Sequence, residues 1–251
     1  MGVIIGILIP FLGTTIGSLL VFFMKNTLNK SLEKVLIGVA SGVMIAASIW
    51  SLLIPAIEMT KGKTELIWFP ATIGFICGII FLLIIDKAAL NFTKKIDLNK
   101  NNNMLFLAVT LHNIPEGMAV GVAFAGSILG NVGMTTMGAF ALAIGIAIQN
   151  LPEGAIISMP LKSSGFSKRT AFLYGFFSGI VEPIFAAITL LFTAKIILIL
   201  PYVLAFAAGV MMYVVVEELI PEFKKDSPSK LGMIGLTMGF LIMMILDITL
   251  G

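Results

Sequence analysis

Eight runs of about twenty apolar residues, set close together, leave this chain few ways to fold. They cover approximately 2–23, 35–57, 66–86, 104–124, 133–159, 171–194, 200–221 and 232–250. A helix needs about 20 such residues to cross the hydrocarbon layer of a bilayer. Within lipid, only helices and closed barrels satisfy their own backbone hydrogen bonds. Of the 251 residues 59% are hydrophobic and 12% charged, against about 25% charged in soluble domains. That is too little polar surface to cover a water-soluble globule. The chain 1–251 therefore reads as a single transmembrane domain, an all-α membrane protein of eight transmembrane helices. Its connections are short, and the longest polar one runs from Lys87 to Asn103.

Loop charge predicts the orientation. Lys25, Lys30 and Lys34, then Lys87, Lys94, Lys95 and Lys100, then Lys162, Lys168 and Arg169, then Lys224, Lys225 and Lys230 fall on one side. These are 13 of the 16 Lys and Arg; Lys61, Lys63 and Lys195 fall on the other side. The positive-inside rule puts the richer side in the cytoplasm and both termini outside it. The first run, MGVIIGILIP, has no basic residue before it, whereas Lys25 and Lys30 follow. A signal peptide has the opposite order, so the first run is expected to be retained as a span in the cell (plasma) membrane. The pI near 9.0 reflects the loop lysines and suits an anionic membrane surface rather than nucleic acid. The single cysteine, Cys77, supports neither a disulfide framework nor a thiolate cluster and reads as a small apolar residue facing lipid or a neighbouring helix.

Two internal echoes stand out. ASGVM at 40–44 and LIP at 53–55 are echoed by AAGVM at 207–211 and LIP at 219–221. HNIPEG at 112–117 and QNLPEG at 149–154 sit on adjacent spans. In both cases the copies would run in opposite directions, which is the mark of an inverted-repeat transporter bundle.

The chemistry lies in polar residues at membrane depth. A carboxylate there costs about 2.5–3.5 kcal/mol on insertion scales, yet Glu116, Glu153, Glu182, Glu217 and Glu218 all fall within predicted spans. Such acids require protons, a watery path or cations. Protonated glutamates bonding between helices would account for one or two of them and poorly for five. In the fourth span His112 and Glu116 are four residues apart, hence on one helical face, and Asn113 and Glu116 are three apart on an adjacent strip. Glu116 can therefore serve two sites. Gln149, Asn150 and Glu153 repeat the geometry. Pro115 and Pro152 free the carbonyls of Leu111 and Ile148, and Gly117 and Gly154 allow close helix approach. Facing each other, the two motifs would build a pocket rich in oxygen and nitrogen. Carboxylates with one imidazole suit Zn²⁺, Fe²⁺, Mn²⁺ or Co²⁺. His112 is the only histidine in the chain and stands four residues from a buried acid, so it is expected to ligate.

HNIPEG and QNLPEG resemble the paired signatures of the fourth and fifth spans of the ZIP (Zrt/Irt-like) divalent-metal transporters. GIVEP at 179–183 and VVEELIPE at 215–222 resemble that family's sixth- and seventh-span motifs. The resemblance covers essentially the whole chain and is strongest to the short prokaryotic branch. It implies an eight-helix inverted-repeat bundle with a two-metal centre and uptake of zinc, or of iron, manganese, cobalt or cadmium, into the cytoplasm. It also implies the ligands. One metal would use Met44, His112, Glu116, Gln149 and Glu153; the other would use Asn113, Glu116, Asn150, Glu153 and Glu182. The chain departs from the family pattern at three places. Gln149 stands where many members have a second histidine, Glu217 where some have histidine, and 87–103 contains no histidine.

Two rival readings compete with metal transport. An intramembrane zinc metallohydrolase would use three protein ligands and an open water position, but the chain has no HExxH and no second histidine. A proton- or sodium-coupled carrier of an organic substrate is compatible with buried glutamates, but nothing resembles a broken helix aimed at a carboxylate. No prosthetic group is expected, and the divalent cation is cargo. The expected partners are divalent metal ions and the lipid bilayer, without nucleic acid; a homodimer stays open.

Overall fold

The computed structural model describes residues 2–23, 29–62, 65–95, 102–130, 135–196, 199–224 and 230–250. Within these, the side chains of 88–95, 102–105, 107, 108, 112 and 193–196 lie outside the description. The described residues form eight helical rods. They are α1 (Gly2–Leu19, prolonged by a 3₁₀ turn Leu20–Phe22), α2 (Lys30–Ala47) continuing into α3 (Ile54–Glu58), α4 (Trp68–Lys95), α5 (Asn102–Ile128), α6 (Thr136–Ser163), α7 (Lys168–Gly179) with α8 (Val181–Ile196), α9 (Leu200–Val214) continuing into α10 (Ile220–Lys224), and α11 (Leu231–Leu250). Among the described residues, seven rods are long and apolar enough to cross a membrane. The eighth, α5, is 27 residues long, about 40 Å at 1.5 Å per residue.

The helices outrun the apolar windows. α2 begins at Lys30, where the Asn29 side chain accepts the Ser31 N–H as an N-cap. α4 runs on to Lys95 and α6 to Ser163. The stretch 87–103, expected as a polar connection, is therefore helical over 87–95 and from 102 onward. Hydropathy reports only the part of a helix that must meet hydrocarbon, whereas hydrogen bonding continues past it.

Proline shapes three of the rods. Pro55 and Pro221 lack the N–H that would reach Ser51 and Glu217, and their rings crowd those carbonyls. In both rods the preceding turn widens to a π-helical one, Ser48–Leu53 and Val215–Leu219. The N–H of Ile54 bonds Ile49 and that of Ile220 bonds Val215, five residues back in each case. The repeated LIP thus produces the same local device twice. Pro183 cannot bond Gly179, and there the rod breaks into α7 and α8 around Ile180.

Glycines spaced four apart set the closest helix pairs. Gly13 and Gly17 of α1 pack on α6, Gly38 and Gly42 of α2 on α11, Gly74 and Gly78 of α4 on α9, and Gly117 and Gly121 of α5 on α8. A Cβ at any of these eight would fall 2.0–2.6 Å from a backbone oxygen of the partner. In lipid, where apolar side chains gain little by leaving their solvent, such backbone contact drives association. The contacts sort the rods into two groups of four. One consists of α1, α5, α6 and α7/α8, the other of α2, α4, α9 and α11, and they join through α2 on α6, α5 on α9 and α11 on α6. A core cluster lies along that seam, with Met44, Leu52, Phe124, Leu142, Ile146 and Leu204 fully buried. Cys77 is exposed on the outer surface of α4, as a lipid-facing residue would be.

Candidate metal centre

The polar residues of the two motifs are buried. Asn113, Gln149 and Asn150 have no exposed surface, Glu116 is 1% exposed and Glu153 7%. α5 and α6 run as continuous α-helix through Pro115 and Pro152, so the three- and four-residue spacings keep their faces. A third helix joins them. Gly117 packs against the backbone of Glu182 at the start of α8, and Glu182 is fully buried.

Hydrogen bonds and charge bring these side chains together. Gln149 Nε2 donates to Glu116 Oε1 at 2.6 Å. Asn113 Nδ2 donates to the carbonyl of Ser178 at 2.9 Å, beside the α7/α8 break. Thr14 Oγ1 of α1 donates to Glu182 Oε1 at 2.9 Å. The carboxylates of Glu116, Glu153 and Glu182 stand within electrostatic range of one another. The Asn150 carboxamide lies beside both Glu116 and Glu182, yet neither of its polar atoms completes a hydrogen bond.

What remains over, beside the Asn150 Nδ2 donor, is a set of acceptors. Asn113 Oδ1, Glu116 Oε2, Gln149 Oε1, Asn150 Oδ1 and Glu182 Oε2 are buried without a hydrogen-bond partner. Leaving one such group unsatisfied costs about 1–3 kcal/mol, and more if charged. All five are oxygens, and in four of the five residues the donor or second oxygen is bonded elsewhere or belongs to a carboxylate. Among the described residues such a cluster lacks a positive partner. Oxygen donors of this kind fit a divalent cation. Among the described residues no group of three or more carboxylate, imidazole or thiolate side chains is placed to hold an ion, and the carboxamides of Asn113, Gln149 and Asn150 add buried oxygens beside the acids.

The remaining expected residues fare differently. His112 lies on α5 within the unbroken helical turn that ends at Glu116; its side chain lies outside the described residues. Met44 is buried to 1% in the apolar core shared by α2, α5 and α6. Glu217 is exposed and Glu218 half-buried on the π turn after α9. They share the neighbourhood of Tyr213, whose hydroxyl donates to Asp86 Oδ2 at 2.6 Å. The five acids of the predicted spans are thus divided by burial.

Three residues at or near these sites escaped the sequence reading. Thr14 and Ser178 are buried and hold Glu182 and Asn113. Asp247, within the last apolar window, is 9% exposed and accepts from Ser51 Oγ at 2.6 Å. The signals were present: a charge inside an apolar run for Asp247, and Thr14 with Ser18 at four-residue spacing in the first run for the α1 face. A cleft of about 380 Å³ opens further along α6, lined by Ile156, Met159 and Pro160 together with Lys30 and Glu33 of α2.

The sequence profile of the family described as "ZIP Zinc transporter" matches residues 96–247, more than half of the chain. Human "Zinc transporter ZIP11" is 34% identical, covering 95% of this chain and 94% of that protein. "Zinc transporter GufA" of Myxococcus xanthus is 32% identical over 86% of each. "Zinc transporter ZupT" of Streptococcus mutans is 31% identical, over 92% of this chain and 91% of its own length. These matches set aside the hydrolase reading, and by them the chain belongs to the ZIP zinc transporter family, multi-span membrane carriers rather than enzymes.

Proposed function

We propose that this chain carries Zn²⁺ across the cell membrane into the cytoplasm, through a two-ion centre formed by the HNIPEG and QNLPEG helices with Glu182. The observation that carries the proposal is the cluster of buried, unpartnered oxygens on Asn113, Glu116, Gln149, Asn150 and Glu182. The names of the relatives support zinc as cargo. One ion is held by Met44, His112, Glu116, Gln149 and Glu153, the other by Asn113, Glu116, Asn150, Glu153 and Glu182. Glu116 and Glu153 bridge them, since each lies on both strips of its helix.

In this reading the side chains present replace the hydration shell of the ion. Glu116, Glu153 and Glu182 supply the charge that makes dehydration affordable, while the carboxamides add neutral oxygens that hold the ion weakly enough for release. The termini face outward, as the loop charges require. The cleft lined by Lys30, Glu33 and Pro160 then faces the cytoplasm and offers the way out. Pro160 stands seven residues beyond Glu153, about 10 Å along the helix and on nearly the same strip. Inverted repeats relate the halves, and the matching π turns before Pro55 and Pro221 support that relation.

The deciding experiment is zinc uptake into vesicles containing the purified chain, with Fe²⁺, Mn²⁺, Co²⁺ and Cd²⁺ as competitors. Zinc should accumulate, and Glu116→Gln should abolish most of the uptake. Uptake by Glu116→Gln at the wild-type rate would sink the shared-ligand centre.

A further inference from the structure

Thr14 differs from four other helix-interior threonines in what it does with its hydroxyl. Thr110, Thr189, Thr237 and Thr249 each donate to a carbonyl four residues back in their own helix. This is the usual habit of threonine in an apolar helix. Thr14 instead donates across to α8, onto Glu182 Oε1 at 2.9 Å. It is completely buried, and its position is held from three directions. Its own carbonyl accepts Ser18 Oγ at 2.8 Å. A Cβ on Gly154, the residue after Glu153, would fall 2.1 Å from that carbonyl oxygen. A Cβ on Gly179 would fall 2.8 Å from Thr14 Cβ. α1 is therefore wedged against the glycines that flank two of the buried glutamates.

The consequence falls on Glu182. A carboxylate with a fixed donor on one oxygen is turned so that the other oxygen points a set way, and Glu182 Oε2 is the one left without a hydrogen-bond partner. We infer that Thr14 is a positioning residue for Glu182. It presents a single oxygen to the ion held with Asn113 and Asn150 and does not touch the ion itself. This rests on the two-ion reading above. Groups that orient metal-ligating side chains are worth about 10–100-fold in metal affinity when removed.

The test is a zinc-binding isotherm of the purified chain, resolving two equivalents, for wild type, Thr14→Val, Thr14→Ser and Glu182→Gln. Valine keeps the shape and removes the donor; serine keeps the donor. Thr14→Val should weaken one equivalent about 10–100-fold and leave the other unmoved, while Thr14→Ser should match wild type. Glu182→Gln should weaken the same equivalent. If Glu182→Gln leaves both equivalents intact, the two-ion reading fails. If Glu182→Gln weakens one while Thr14→Val leaves both at wild-type affinity, the inference about Thr14 alone fails. It fails equally if Thr14→Ser is as weak as Thr14→Val, because the methyl packing and not the hydroxyl would then be responsible. Should Thr14→Val not fold, Thr14→Ala, which also removes the donor, is read by the same rule.

Discussion

Gln149 of α6 donates its carboxamide Nε2–H to Oε1 of Glu116 on α5 at 2.6 Å. Gln149, which the resemblance sets where many members have histidine, is therefore tied to the acid expected to serve both ions. One oxygen of Glu116 is engaged, and Gln149 keeps its own Oε1 unpartnered. Gln149→His replaces a weak oxygen donor by an imidazole, which binds Zn²⁺ well, and releases Glu116 Oε1 at the same time. Zinc should bind on the order of tenfold tighter, about 1.4 kcal/mol. Release should slow, giving a lower apparent KM with an unchanged or reduced maximal rate. An unaltered zinc titration of the purified variant would remove Gln149 from the ligands and leave it the interhelical bond alone.

In the proposed two-ion centre Asn113 and Asn150 serve one ion only. Asn113→Ala and Asn150→Ala should each weaken that ion by about 1–3 kcal/mol, the cost of losing a partner of a charged group. The other ion should keep its affinity. Asn113→Ala also removes the bond to the Ser178 carbonyl, so it should cost more thermal stability than Asn150→Ala. Equal loss at both ions in the isotherms would contradict the assignment.

Close packing carries its own prediction. A methyl at Gly117 would lie 2.3 Å from the backbone oxygen of Glu182, and backbone yields less readily than a side chain. Gly117→Ala should push α8 from α5, destabilise the bundle by about 1–3 kcal/mol and displace Glu182 from its partners. At Gly2 the nearest neighbour is Phe140 at 3.8 Å, an ordinary contact, so Gly2→Ala should leave stability and zinc binding unchanged. Thermal unfolding of the two variants in detergent compares them directly.

Orientation is checked from outside the cell. In a Cys77→Ser background, a cysteine added at either terminus should react with an impermeant maleimide on intact cells, because eight crossings would put 13 of the 16 basic residues on the side opposite the termini, which the positive-inside rule makes cytoplasmic. Reaction only after permeabilisation would invert the topology or change the number of crossings.

The sequence by itself determined the solvent and the chemistry. Apolar runs of bilayer length leave a chain no alternative to membrane helices. The doubled N-x-P-E-G places acids and carboxamides three and four residues apart, and helical periodicity alone then puts them on shared strips. Both facts depend on near neighbours along the chain, so they can be read from it. The tertiary structure decided which polar groups meet. Glu116, Glu153 and Glu182 come together in the buried interior while Glu217 is exposed and Glu218 half-buried, although all five sit in apolar runs. Periodicity names a face but not the rod it will touch. That choice belongs to the glycine pairs, which let α5 lie on α8 and α1 on α6 at backbone contact. The Thr14–Glu182 and Ser51–Asp247 bonds join residues 168 and 196 positions apart. Nothing local to threonine or serine foretells such a bond, because the same hydroxyl in a lone helix would turn back to its own carbonyl. Only the packed bundle brings an acid near enough to compete.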